Sequence, residues 1–187
     1  KDAAAAITDL KMGEYGPWIT RTFEARDYKR AGRFRFQILE LSPDGTQFKL
    51  YQSAINMAEP YSVPADLCRR VEEVAGTYME VDDPWAFMDG WMSADLYLEQ
   101  LGMHADWWGK ATRYVLENQE WDMAVSWVGT IDHIEHVLYA GIEPKARVYD
   151  PEKADFCWHM IRETYRQVDE NIGRILEGVD LNETYVV

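Results

Sequence analysis

Basic residues are scarce in this 187-residue chain, where 19 Lys and Arg stand against 33 Asp and Glu for a formal charge of −14. Nucleic acid and anionic membrane surfaces are therefore poor partners, because phosphates need Lys and Arg to neutralise them. The chain alone is equally ill suited to an anionic substrate, unless bound divalent cations reverse the local charge. Cysteine is nearly missing. Cys68 and Cys157 both fall on helical patterns and read as free buried thiols, with a disulfide left open. No run approaches the roughly 20 apolar residues of a membrane span, and no signal peptide is visible. Internal repeats, low-complexity tracts, a phosphate-cradling glycine loop and a Cys/His cluster are also lacking. The chain opens at Lys1 without a Met and closes on the strand-like Thr184-Tyr185-Val186-Val187. Those ends read as an excised or processed chain, so the missing signal does not bear on the compartment.

A hydrophobic content of 47% with 28% charged residues is that of an ordinary globular protein, with enough chain for one domain and a small annex. Residues 1–31 carry weak signals, a turn-rich Gly13-Glu14-Tyr15-Gly16-Pro17-Trp18 leading into the alternating Ile19–Phe23. Phe34, Phe36 and Ile38 then alternate with polar residues, Ser42-Pro43-Asp44-Gly45 turns, and Phe48–Tyr51 returns. This is an antiparallel hairpin, read as structural rather than substrate-contacting. After Pro60 and Pro64 a helix is expected with Leu67, Val71, Val74 and Tyr78 on one side. Glu80-Val81-Asp82-Asp83-Pro84 reads as a solvated acidic loop. Ser93 is placed to cap a long helix carrying Leu96, Tyr97, Leu101, Trp108, Ala111 and Val115 inward, with His104 packed near that stripe. Trp85, Trp91, Trp107 and Trp108 are expected to anchor this helical piece.

The chain is organised around WDMAVSWVGTIDHIEHVLY, residues 121–139. Its apolar opening is short enough for one buried strand over 122–128, Gly129-Thr130 marks a turn, and a helix follows. Asp132 and His136 stand one helical turn apart, with Cβ atoms about 6 Å from each other. An anionic oxygen and a neutral nitrogen so spaced suit one divalent metal ion. The site would also lie beyond the carboxyl end of a strand, where open α/β sheets place ligands. The competing interpretation makes Asp132 a helix N-cap and His136 a partly buried residue with a satisfied ring. Farther on, Asp150-Pro151-Glu152 starts a helix over 151–177 with Ala154, Trp158, Ile161, Tyr165, Val168, Ile172 and Ile175 in phase, ended by Gly178. His159 reads as a packed ring beside that stripe. Strand 122–128, this helix and a strand at 183–187 make an expected βαβ unit with a parallel crossover.

Three segments, in order, resemble the type I phosphodiesterase/nucleotide pyrophosphatase-like phosphohydrolases of the alkaline phosphatase superfamily. GEYGPWITRTF is similar to that family's Gly-Glu-aromatic-x-Pro-Trp segment, and RFRFQILELSPDGTQFKLYQSAIN to its Phe-Arg hairpin ending in Ile-Asn. WDMAVSWVGTIDHIEH is similar to the strand leading into a metal-binding Asp-x-x-x-His. The resemblance implies an α/β fold: an α+β cap insert with hairpin and helices, then a βαβ piece of an alkaline phosphatase-like core. The expected division is a β-rich 1–57, a helical cap over 58–119 and a core piece over 120–187. It further implies that Asp132 and His136 hold one of two catalytic metals, usually zinc, while His133 and Glu135 have no ligand role. The Thr or Ser nucleophile with its companion Asp would precede this region, and a Ser-Asp-His-Gly segment and a last His would follow Val187. The intact enzyme would hydrolyse a small phosphate ester or nucleotide, and these 187 residues alone would be inactive, with weak or no metal binding. The alternative is a non-catalytic binding or interaction domain. Exposed sheet edges in such a piece would invite self-association.

Overall fold

In the computed structural model the described residues are 6–58, 60–78 and 82–187, with only the backbone of Ala25. The fold is mixed α/β, and the chain divides into two compact units, Lys1–Tyr61 and Ser62–Val187.

In the first unit β1 (Ile19–Ala25), β2 (Tyr28–Phe34) and β5 (Asn56–Met57) form an antiparallel sheet in the order β1-β2-β5. Separately, β3 (Phe36–Leu41) pairs antiparallel with β4 (Phe48–Gln52). The expected hairpin is present, and its tip explains itself chemically. Asp44 Oδ1 accepts from Ser42 Oγ at 2.6 Å and from Thr46 N at 3.1 Å, and Gly45 takes the positive φ of 72°. The Ser42 hydroxyl, followed by Thr46, pulls the exposed Asp44 carboxyl down to about 2. The alternation through Phe34, Phe36 and Ile38 is not one strand, however. It breaks at Arg35, whose guanidinium carbon lies 4.0 Å from the Tyr15 ring centroid and 4.6 Å from that of Trp18. Tyr15 and Trp18 of the turn-rich segment thus hold the point where the chain leaves one sheet for the other.

The second unit is helical. It comprises α1 (Ala65–Ala75), α2 (Pro84–Met88), α3 (Ala94–Asn118), α4 (Thr130–Ile142) and α5 (Pro151–Leu176). Ser93 caps α3 by accepting from Leu96 N at 3.2 Å, and Asp150 caps α5 by accepting from Glu152 N at 3.0 Å, with Pro151 in the first turn. The longest helix, α5, packs against both α3 and α4, while α1 packs against α3. Leu96, Tyr97, Leu101, Ala105, Ile134, Met160, Ile161 and Val168 are buried. The α3–α5 crossing needs a glycine, since a Cβ on Gly109 would stand 2.5 Å from Asn171 Oδ1. Cys68 and Cys157 are buried thiols with no disulfide between them. Among the described residues no helix is long and apolar enough to cross a membrane.

Several expectations are corrected here. Residues 121–129 form neither strand nor helix, and Met123, Val125 and Trp127 are exposed. Residues 183–187 form no strand either, so the βαβ unit is not made. A short apolar run suits a buried strand, but a strand exists only beside a partner, and among the described residues none pairs with these segments. Instead α3 pins the first of them, Trp108 Nε1 donating to Ser126 Oγ at 2.6 Å and Trp121 Nε1 to Leu116 O at 3.0 Å. Trp85 and Trp91, expected as anchors, are exposed, as is Val74 of α1. On α5 the buried stripe runs through Cys157, Met160, Ile161, Thr164, Val168, Asn171 and Ile175. Trp158, Tyr165 and Ile172 are consequently 40%, 45% and 40% exposed rather than buried.

Candidate functional site

Helix α4 begins at Thr130 with Gly129 in the N-cap position, which supplies no side-chain cap. Asp132 is therefore not the N-cap. It lies in the first turn, where the amide dipoles of the helix favour a negative charge. One turn later His136 comes alongside, with Nε2 3.3 Å from Asp132 Oδ1. Both side chains are open to solvent, 61% exposed for Asp132 and 80% for His136. His136 is therefore exposed rather than partly buried. The two side chains do approach each other, though they follow an irregular segment rather than a strand.

A second Asp–His pair, unforeseen from the sequence, stands on the inner side of the same turn. Asp82, expected in a solvated loop, has a fully enclosed side chain. Its Oδ1 lies 2.5 Å from His133 Nδ1, and its Oδ2 accepts from Tyr97 Oη at 2.8 Å. Glu80 and Val81 of the same acidic stretch lie outside the described residues. Asp83 explains why Asp82 turns inward. Asp83 caps α2 by accepting from Ala86 N at 2.9 Å, and its own N–H donates to Gln100 Oε1 at 3.0 Å. Tyr97 is fully buried and its ring stacks on Phe87 at 4.8 Å, so its hydroxyl is aimed. Burial, and after it the Asp82 carboxyl, push the pKa of Tyr97 far up and keep the phenol a donor.

His104, packed as expected, faces His133 with ring centroids 6.4 Å apart. Burial pulls its basicity down, nearby Asp82 opposes that, and His133 adds to it. Among the described residues His104 Nδ1 and the fully buried Thr130 Oγ1 find no hydrogen-bond partner. His159, expected packed, is exposed and lines a shallow surface depression with Trp158, Arg162 and Arg166. Gly129 is where the two pairs meet the irregular segment before α4. A Cβ there would stand 2.7 Å from Trp127 Cη2 and 3.0 Å from His133 Nε2.

Chemically, the outer pair offers one carboxylate oxygen and one imidazole nitrogen to solvent at close range. Among the described residues no group of three or more His, Cys, Asp or Glu is arranged to hold a metal ion. The inner pair has its Asp82 oxygens engaged by Tyr97 and His133, which suits it to orient a ring. No family model, curated protein or solved structure matches the chain.

Proposed function

We propose that this chain is part of a metal-dependent phosphoric ester hydrolase of the kind its three segments resemble, with Asp132 and His136 as two ligands of one divalent cation. The separation of 3.3 Å between Asp132 Oδ1 and His136 Nε2 carries this reading. Oxygen and nitrogen ligands each about 2.1 Å from a tetrahedral zinc stand roughly 3.4 Å apart. Their exposure leaves the approach open for a phosphate ester or nucleotide. When bound, the cation supplies Lewis acidity toward a phosphoryl oxygen and acidifies coordinated water. It also reverses the local charge on a chain whose net value is −14, so that an anionic ester is tolerated there. Asp132 and His136 do the holding, and the nucleophile and remaining ligands come from sequence outside these residues. Catalytic zinc ordinarily takes three protein ligands, so two hold the ion weakly and the chain alone turns nothing over.

The test is hydrolysis of aryl phosphate mono- and diesters, with zinc or manganese, by the polypeptide that joins this chain to its nucleophile segment. Asp132→Ala is expected to lower turnover about a hundredfold or more, since even partners of metal ligands are worth 10–100-fold. Undiminished turnover rejects the ligand role.

A second reading, a non-catalytic interaction domain, is favoured by the 71%, 64% and 73% exposure of Trp85, Trp91 and Trp127. A Ser-Asp-His-Gly segment soon after Val187 in the coding sequence favours the hydrolase, and its absence favours the domain. In either case the bare apolar row Met123, Val125 and Trp127 is proposed to let the chain associate with itself. Sedimentation as a strict monomer at high concentration counts against that association.

A further inference from the structure

We infer that His133 is a positioning residue for the Asp132–His136 pair, its ring locked from below by Asp82 and Tyr97. The inference builds on the metal-ligand reading above. The starting observation is a helix end that lacks the usual means of holding itself. The N-cap Gly129 offers no side-chain acceptor, although the first N–H groups of a helix have no partner inside it. Such ends fray, and the Asp132–His136 pair lies in just those first turns. Fraying would separate the two donors.

The lock takes the place of the missing cap. Burying a carboxyl is costly unless donors replace the water it loses. Asp82 finds two, the Tyr97 hydroxyl at 2.8 Å and His133 Nδ1 at 2.5 Å. Tyr97 comes from α3 and is immobilised by its stack on Phe87, so the acceptor is fixed independently of α4. His133 reaches that acceptor while its own backbone N–H closes the first turn onto Gly129 O at 2.9 Å. The rotation of α4 about its axis follows. His133, Thr130 and Ile134 lie toward the interior, and Asp132 and His136 are left in solvent. In a neutral ring, donation from Nδ1 assigns the proton to that nitrogen.

The test is a cobalt(II) titration of the 187-residue chain followed by its d–d absorption, combined with nitrogen-15 spectra of the histidine rings and amide exchange over 130–133. Native His133 is expected as the Nδ1–H tautomer. His133→Ala is expected to weaken cobalt binding about tenfold, the usual scale for a residue that orients metal ligands. His133→Asn keeps an N–H close to the Nδ1 position and is expected to restore affinity to within about twofold of native. These two folded variants differ by one amide, so the result does not depend on whether Asp82→Ala folds. Equal cobalt affinity for native and His133→Ala, or a native Nε2–H tautomer, overturns the inference. If Asp132→Ala shows that native protein binds no cobalt at this pair, the metal reading fails by itself. Amide exchange then decides the lock: faster exchange over 130–133 in His133→Ala than in native or His133→Asn supports it, and unchanged exchange overturns it.

Discussion

Asp82 and His133 lie 51 residues apart in sequence and meet at 2.5 Å, the carboxyl wholly enclosed and the ring 28% exposed. Asp132 and His136 lie four residues apart, meet at 3.3 Å and are mostly in solvent. The same two residue types therefore make opposite contributions from one helical turn. The inner pair joins distant parts of the chain and has its oxygens engaged, which makes it a device for stability and orientation. An exposed pair is worth little to folding, yet its lone pairs stay available to a cation. Burial, rather than residue identity, assigns the two roles.

The contrast is sharpest in stability. Asp82→Ala leaves the Tyr97 hydroxyl and His133 without their acceptor and is expected to cost about 2–4 kcal/mol in urea unfolding. Tyr97→Phe removes one donor and keeps the packing, and is expected to cost about 1–2 kcal/mol by the same measurement. A gentler effect comes from His104. Its folded-state basicity is depressed below the ordinary 6.5 by burial, so the unfolded chain binds the proton more readily. Stability is then complete above about 6.5 and declines as pH falls below it, and His104→Gln is expected to flatten that decline in unfolding followed between pH 7 and 5. Smallest of all, Asp132→Ala and His136→Ala are expected to shift stability by no more than about 0.5 kcal/mol. A cost for Asp132→Ala equal to that of Asp82→Ala would erase the distinction.

What could be read in advance was local chemistry. The Ser42–Gly45 turn, the Ser93 cap, the Asp150-Pro151-Glu152 helix start and the spacing of Asp132 and His136 each involve residues within five positions of one another. Their physics is complete within the segment. The β1–β2 hairpin escaped because Arg26, at φ 52°, occupies a turn position more often given to Gly or Asn. The inner pair escaped because nothing near Asp82 names His133 as its partner, and an acidic run is ordinarily a solvated one. On α5 two apolar stripes compete, and the sequence pattern alone does not say which is buried. Cys157, Thr164 and Asn171 face the neighbouring helices, leaving Trp158, Tyr165 and Ile172 partly bare. The apolar run over 122–128 suits a buried strand, but pairing is a property of two segments and α3 claims this one through Trp108 and Trp121.

The most direct test of the metal-ligand claim is the nitrogen-15 spectrum of the His136 ring as zinc is added to millimolar excess. Zinc is expected to shift His136 Nε2 progressively, to leave His133 Nδ1 in place, and to lose its effect on His136 in Asp132→Ala. A His136 signal that stays put, or that moves equally without the Asp132 carboxylate, would contradict a shared cation at this corner.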